Sequence, residues 1–303
     1  HASPFFAVPH VCMPELPRWA LRGCPVILYE DADVACIYKP ADWLCSDAKD
    51  GPWVDAAWGL LDPSEREGKL CELLEQKKSA PLGAWFYLHF GCLPIFWERS
   101  YGLAQRLDRF TSGPLLLSKT RHGSAHCAKQ IRERDVLKDY VALLHGTLSK
   151  RVYECRAPIE KVRGGAEISE RGEPAITLCE ALAYYEDVDS GDVYTLAHLR
   201  IVTGRTHQIR VHMLHLGHPV VGDMQYVTDQ ALMDRNFKLC DRVFLHKFRI
   251  AFFNTKGEPV IRACPLRMAP KLWRALECLR RTDTLSLQGC DAPGLMQDAW
   301  YDI

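Results

Sequence analysis

Gln105-Arg-Leu-Asp-Arg-Phe-Thr-Ser-Gly113 is the stretch on which the reading of this chain turns. Arg106 and Arg109 flank Asp108, and Thr111, Ser112 and Gly113 supply a turn rich in hydrogen-bond donors. A carboxylate among cations and donors keeps its charge, and an ionised, partly buried Asp serves as a nucleophile or base. Taken alone, the same residues also fit a loop Asp capping a turn between surface arginines. A second stretch narrows the choice: Thr203-Gly-Arg-Thr-His-Gln-Ile-Arg-Val-His212, followed by Leu216-Gly-His-Pro-Val-Val-Gly-Asp223. Gly204 permits a sharp turn, and Thr206 can cap a helix carrying Gln208, Arg210 and His212 on its early turns. A helix start with Arg and His nearby suits an anion or a carboxylate partner.

Outward from these stretches, strand and helix signals alternate without a regular βαβ rhythm, so an α+β fold with a largely antiparallel sheet is expected. Val26–Tyr38 reads as a hairpin around Glu30-Asp-Ala-Asp33, stopped by Lys39-Pro40. Leu115–Ser118, Tyr140–Gly146, Val193–Val202, Phe244–Phe253 and Pro259–Ala263 read as strands. His122–Arg134, Thr206–Leu216 and Leu266–Arg280 read as helices, the second ended by Gly217. A further helix is expected over Ser64–Lys77, started by the Ser64/Glu67 cap pattern. The division expected is an N-terminal arm over 1–25, a catalytic domain over 26–267 with a surface insertion at 48–84, and a C-terminal helix and tail over 268–303.

The 303 residues are 48% hydrophobic and 25% charged, the composition of a globular chain rather than a disordered or fibrous one. No apolar run approaches the roughly 18 residues that cross a bilayer, so no membrane association is expected. Lys plus Arg equal Asp plus Glu at 38 each, but the charge is segregated. Glu30–Glu75 holds 12 acidic and 4 basic residues, a net of −8, while Arg99–Arg163 holds 14 basic and 6 acidic, a net of +8. Such segregation suits a polyanion-binding face beside a region that repels it, or two solvated surfaces that merely differ. Thirteen cysteines without a Cys-x-x-Cys pair suggest free thiols in an intracellular, reducing compartment. His207, His212, His215 and His218 place no clean i, i+4 pair on one helix face, so no metal site is expected.

Together the two stretches resemble the RluA-type family of RNA pseudouridine synthases, and the likeness continues in order from about residue 26 to 267. Tyr29-Glu-Asp-Ala-Asp33 with Lys39-Pro40-Ala41 is similar to the family's opening hairpin and Lys-Pro turn. Lys138-Asp-Tyr-Val-Ala-Leu-Leu-His-Gly146 is similar to its Lys-x-Tyr strand, and Gly172–Thr177, Leu245-His246 and Cys264-Pro-Leu266 match later blocks. The resemblance implies a mixed, largely antiparallel sheet with flanking helices around a central catalytic cleft. It implies isomerisation of uridine to pseudouridine in structured RNA (rRNA or tRNA): the base leaves C1′, turns, and rejoins through C5, with no cofactor. Carried over residue by residue, Asp108 is the catalytic carboxylate, Arg210 its ionic partner, and Tyr140 the aromatic under the base. Arg106, Arg109, Thr111, Arg205, His207 and Gln208 fall on substrate-binding positions, with Arg106 able to fill the space left by a flipped nucleotide.

This sequence departs from the family's pattern in four places. Gln105 stands where His is usual, Pro114 where an aliphatic residue is usual, and Val227 where Gly is common. The stretch from Pro40 to Gln105 is longer than usual. No S4-type RNA-binding module is visible ahead of the domain, so grip on RNA is expected from the domain itself, its insertion or a protein partner. The long insertion and the C-terminal helix also fit a second reading, a catalytically silent RNA-binding component of a ribonucleoprotein that docks on other proteins.

Overall fold

A computed structural model describes residues 23–45, 62, 64–65, 82–90, 102–149 and 152–282. Its core is an antiparallel sheet in the order β11-β10-β4-β9-β8-β12, with β5 also pairing with β8. The strands are β4 (Leu137–His145), β5 (Val152–Cys155), β8 (Thr177–Glu186), β9 (Val193–Ile201), β10 (Leu245–Phe253), β11 (Pro259–Ala263) and β12 (Arg280–Thr282). β1 (Val26–Glu30), β2 (Val34–Lys39) and β3 (Gly113–Ser118) make a second antiparallel sheet. A parallel bridge between Ser112 and His246 joins the two sheets. Gly113 makes that junction possible, because a Cβ there would stand 2.0 Å from the Lys247 carbonyl oxygen. A small hairpin, β6 (Ile159–Val162) and β7 (Gly165–Ile168), stands apart from both sheets.

Side chains alternate across the central strands and divide the sheet into two faces. Tyr140, Ala142 and Leu144 of β4 join Ala197, Leu199 and Ile201 of β9 in one apolar cluster. Val141 and Leu143 join Tyr194 and Leu196 in another, on the opposite face. The first cluster also takes Leu82, Trp85 and Phe86 from α1 (Leu82–Phe90), packed against Ile37 and Leu115. This revises the expected insertion: Leu82, near its end at 84, is fully buried rather than at the surface. The second cluster is covered by α5 (Pro270–Glu277), which follows α4 (Gln230–Leu239) in the chain, through Leu272, Ala275 and Leu276.

The helix expected over Leu266–Arg280 is a 3-10 turn at Leu266–Met268 followed by α5, and Arg280–Thr282 is strand. These residues belong to the sheet's own packing, because β12 pairs with β8 across Arg281 and Tyr185. Helix α2 (Arg121–Glu133) falls within a residue of expectation, with Thr120 accepting the Gly123 N–H and Arg134 closing it in a left-handed conformation. Of the Ser64–Lys77 helix only Ser64 and Glu65 are described. The cap lies two residues earlier than expected: Asp62 accepts from the Ser64 and Glu65 amides while Glu65 accepts from the Asp62 amide. The 1–22 arm and the tail beyond 282 lie outside the described residues.

Candidate active site

One cleft of about 760 Å³ is lined by Asp108, Tyr140 and Arg210 together with Arg106, Arg109, Thr111, Arg205, His207 and Gln208. Every site residue expected from sequence is thus brought to one place. Three segments supply them: the loop before β3, the cleft face of β4, and the turn into α3 (Gln208–His215).

The loop carrying Asp108 is fixed from beneath. Lys39, buried at the end of β2, donates from Nζ to the carbonyls of Pro40, Trp43 and Arg109 at 2.9, 3.0 and 3.1 Å. Burial lowers this ammonium to about 8. The Thr111 amide closes the turn on the Asp108 carbonyl at 3.1 Å. Behind it, Ser112 Oγ meets His246 Nδ1 at 2.8 Å and accepts from Arg242 Nη2 at 3.0 Å, and both side chains are buried. The Asp108 side chain itself is 31% exposed, with Arg210 Nη1 at 3.6 Å and His207 Nε2 at 3.9 Å. Both lie just beyond hydrogen-bond range, so its oxygens face the cleft with lone pairs open.

Arg210 pairs with Asp108 as expected, but its nearer partner is another carboxylate. Nε and Nη2 donate to both oxygens of Asp223 at 2.7 Å, and Nη2 also reaches Gln225 Oε1 at 2.9 Å. The guanidinium lies 4.8 Å from the Tyr226 ring centroid, in cation–π range. Burial disfavours its charge, but the bonds and charge of Asp223, with Asp108 beyond, outweigh burial and raise it. Arg210 is therefore a cation held rigidly beside Asp108 without consuming its oxygens. Asp223, Gln225 and Tyr226 were not expected in the site. The Gly222-Asp223 turn was visible, yet nothing in its spacing pointed to Arg210.

Tyr140 presents its ring to the cleft from the face shared with Lys138, and burial, then Asp108 and Asp139, raise its phenol far above the ordinary value. Its phenol is therefore neutral. Thr206 does not cap α3; His207 does, in a left-handed conformation (φ 52°) without a side-chain capping bond. Gln208 proves to be structural. Its carbonyl oxygen accepts from Thr203 Oγ1 and the Arg205 amide, and its amide nitrogen donates to Ile176 O and Thr177 Oγ1. No hydrogen-bonding group of that amide is left for a ligand. Arg205 leans on the Pro174 carbonyl at 3.1 Å, and Arg109 lies 3.4 Å from Asp42.

The rim is basic: Arg106, Arg109, Arg132, Arg134, Lys138 and Lys161 all line the cleft, and all come from the +8 stretch. Burial, then Arg134, lower Lys138 to about 8. Gln105, the departure from His, accepts from the buried Lys247 ammonium at 2.7 Å. Burial and Lys138 lower Lys247 to about 7. The histidines do other work: His212 bonds Thr177 Oγ1 and the Ala157 carbonyl, and His218 bonds the His145 carbonyl. Among the described residues no group of three or more His, Cys, Asp or Glu side chains is placed to hold a metal, and the buried Cys36, Cys127 and Cys264 are thiols.

A family model described as RNA pseudouridylate synthase matches residues 96–215, the span that holds Asp108, Tyr140 and Arg210. The dual-specificity RNA pseudouridine synthase RluA of Pasteurella multocida (strain Pm70) is 38% identical over 162 residues, covering 51% of this chain and 69% of that protein. The chain belongs to the RNA pseudouridylate synthase family. A second member of this family, the ribosomal large subunit pseudouridine synthase C of Buchnera aphidicola subsp. Acyrthosiphon pisum (strain APS), is 31% identical over 191 residues, 59% of either chain. The chain thus spans little more than half the length of that relative. The solved structure of human RNA Pseudouridylate Synthase Domain Containing 1 superposes with a TM-score of 0.61 at 24% identity, covering 86% of this chain and 89% of the other. That likeness establishes the family's mixed, largely antiparallel α+β fold.

Proposed function

We propose that this chain isomerises uridine to pseudouridine in structured RNA, rRNA or tRNA, with Asp108 as the reacting carboxylate. One observation carries the reading: Asp108, Tyr140 and Arg210 meet in a single cleft whose rim is basic. The cleft admits a nucleotide extruded from its stack, at a cost of a few kcal/mol, and the rim holds the flanking phosphates. Tyr140 offers a flat, neutral ring for the base to stack on. Arg106, exposed beside Asp108, fills the gap the nucleotide leaves. Arg210 keeps positive charge near Asp108 while leaving both carboxylate oxygens open to the sugar, as either nucleophile or base. Once the base is detached from C1′, the cleft confines it while it turns and rejoins through C5; C5 then gives up its proton and N1 takes one up, so the product is an isomer.

The test is pseudouridine mapping of rRNA and tRNA incubated with the purified chain and with its Asp108→Asn variant. Isomerisation by the first alone supports the reading. RNA binding without isomerisation at any site would instead support a silent ribonucleoprotein component.

A further inference from the structure

A chain of hydrogen bonds runs from the small β6–β7 hairpin to the edge of the catalytic carboxylate, and its protons can be assigned. The Ala166 amide of β7 donates to Tyr226 Oη at 2.9 Å. Tyr226 Oη in turn lies 2.6 Å from His207 Nδ1. The other ring nitrogen, Nε2, faces Asp108 Oδ1 at 3.9 Å. A phenol oxygen that receives an amide N–H has its own single hydrogen to give, and Nδ1 is the partner in line to accept it. An imidazole accepting at Nδ1 carries its proton at Nε2.

We propose that Tyr226 is a positioning residue: it locks His207 in the Nε2–H tautomer, which directs a neutral donor at Asp108 and ties that carboxylate's orientation to the β6–β7 hairpin. The proposal rests on Asp108 being the reacting carboxylate and adds how the apparatus around it is set. The 3.9 Å separation to Oδ1 closes to a hydrogen bond when the carboxylate turns toward Nε2, which leaves Oδ2 open to the sugar, as catalytic contacts commonly tighten with substrate in place.

The surroundings agree on a neutral His207. Among the described residues, the charged and titratable groups that act on it are Asp108 from the loop before β3, Arg210 from α3, and Asp223 and Tyr226 from the turn that follows α3. Burial and Arg210 disfavour the imidazolium, Asp108 and Asp223 favour it, and the balance lies below the ordinary value. The left-handed backbone at His207 is what swings its ring between Tyr226 and Asp108. The hairpin is held close by a missing side chain, since a Cβ on Gly165 would stand 3.0 Å from Tyr226 Oη and 2.8 Å from Gln225 Nε2. Gln225 Nε2 adds a second tie to the hairpin, donating to the Gly164 carbonyl at 2.8 Å.

Tyr226→Phe is the informative change, because it removes only the hydroxyl and keeps the ring under Arg210. On the unmodified full chain, ¹⁵N spectra of the His207 ring near neutral pH should show an unprotonated Nδ1 and a protonated Nε2. In Tyr226→Phe the ring should become a tautomer mixture, with kcat down about tenfold, KM within about twofold, and the acid limb of the kcat profile moved to higher pH. The upward move follows because Tyr226 donates to the neutral form of His207, so its loss makes the ring easier to protonate. A protonated Nδ1 in the unmodified chain would overturn the proposal whatever the variant does. So would Tyr226→Phe with an unchanged tautomer, or with loss in KM alone. The spectra need no turnover, so an active Asp108→Asn would refute the role of Asp108 while leaving the tautomer measurement to stand separately.

Discussion

Asp108 and Asp139 are both carboxylates close to arginines, and the fold treats them in opposite ways. Asp139 is fully buried on the face of β4 away from Tyr140. There Arg200 Nε and Arg249 Nη2 contact it at 2.7 and 2.8 Å and His198 Nε2 at 3.1 Å. Asp108 is about a third exposed, and its nearest cation stands 3.6 Å away, already committed to Asp223. Burial alone would push the Asp139 carboxyl up, but hydrogen bonds from His198 and Arg200 outweigh it and hold the carboxyl far below the ordinary range. Saturating a carboxylate with donors makes a structural anchor. Placing cations near it without bonding it leaves a group that can react. Adjacent positions of one strand, Asp139 and Tyr140, thus serve the anchor and the cleft through nothing more than the alternation of a β-strand.

The sharpest way to break the comparison is to neutralise each carboxylate in turn. Asp108→Asn should reduce pseudouridine formation by at least about 10³-fold, roughly 4 kcal/mol in the barrier, with little change in the urea midpoint. Asp139→Ala should do the reverse, costing about 3–5 kcal/mol of stability by removing the buried charge on which Arg200, Arg249 and His198 converge. Equal stability losses in the two variants would show that the distinction between anchor and reactive group is false.

A pH titration of stability sharpens the same contrast. Asp139 has a depressed folded value, so its contribution is present above its unfolded value near 4 and is lost as pH falls below that. His246, buried and lowered to about 4, works in the same direction: stability falls as pH drops from about 6.5 toward 4, where the unfolded chain takes up a proton that the folded chain refuses. Stability from urea melts, plotted against pH, should diverge in slope between the unmodified chain and Asp139→Asn below about pH 4. The smallest effect is expected at the rim. Arg132→Glu and Arg134→Glu should each weaken RNA binding at low salt for many sequences alike and reduce the dependence on log salt by about one. A sequence-selective loss would mean that these arginines read bases.

Much of this arrangement was legible in sequence because its signals are local. The β1–β2 hairpin, α2 and β4 follow from alternation, a cap and a turn, and the Asp108 and Arg210 stretches are compact. What escaped depends on distant partners. β8 reads Thr-Leu-Cys-Glu-Ala-Leu-Ala-Tyr-Tyr-Glu, with alanines and a Glu that blur its period, and its pairing with β9 decides its state. Gln208 looked like a ligand-binding amide because sequence does not reveal that Ile176 and Thr177 lie across from it. Asp223 and Tyr226 sit 13 and 16 residues beyond Arg210, joined to it only by the return of the chain after α3. The Thr206 cap failed because a left-handed His207 turns the chain at that point, a conformation that β-carbon sterics normally discourage.

The Lys39 clamp bears on how such a chain can change over time. Because one buried ammonium ties the end of β2 directly to the carbonyl of Arg109, the Asp108 loop is held by a contact in space as well as by the path between them. Residues added between Pro40 and Gln105 need not move Asp108. Variation in length is thereby uncoupled from chemistry. The corollary is that losing Lys39 would remove the tie that makes this possible.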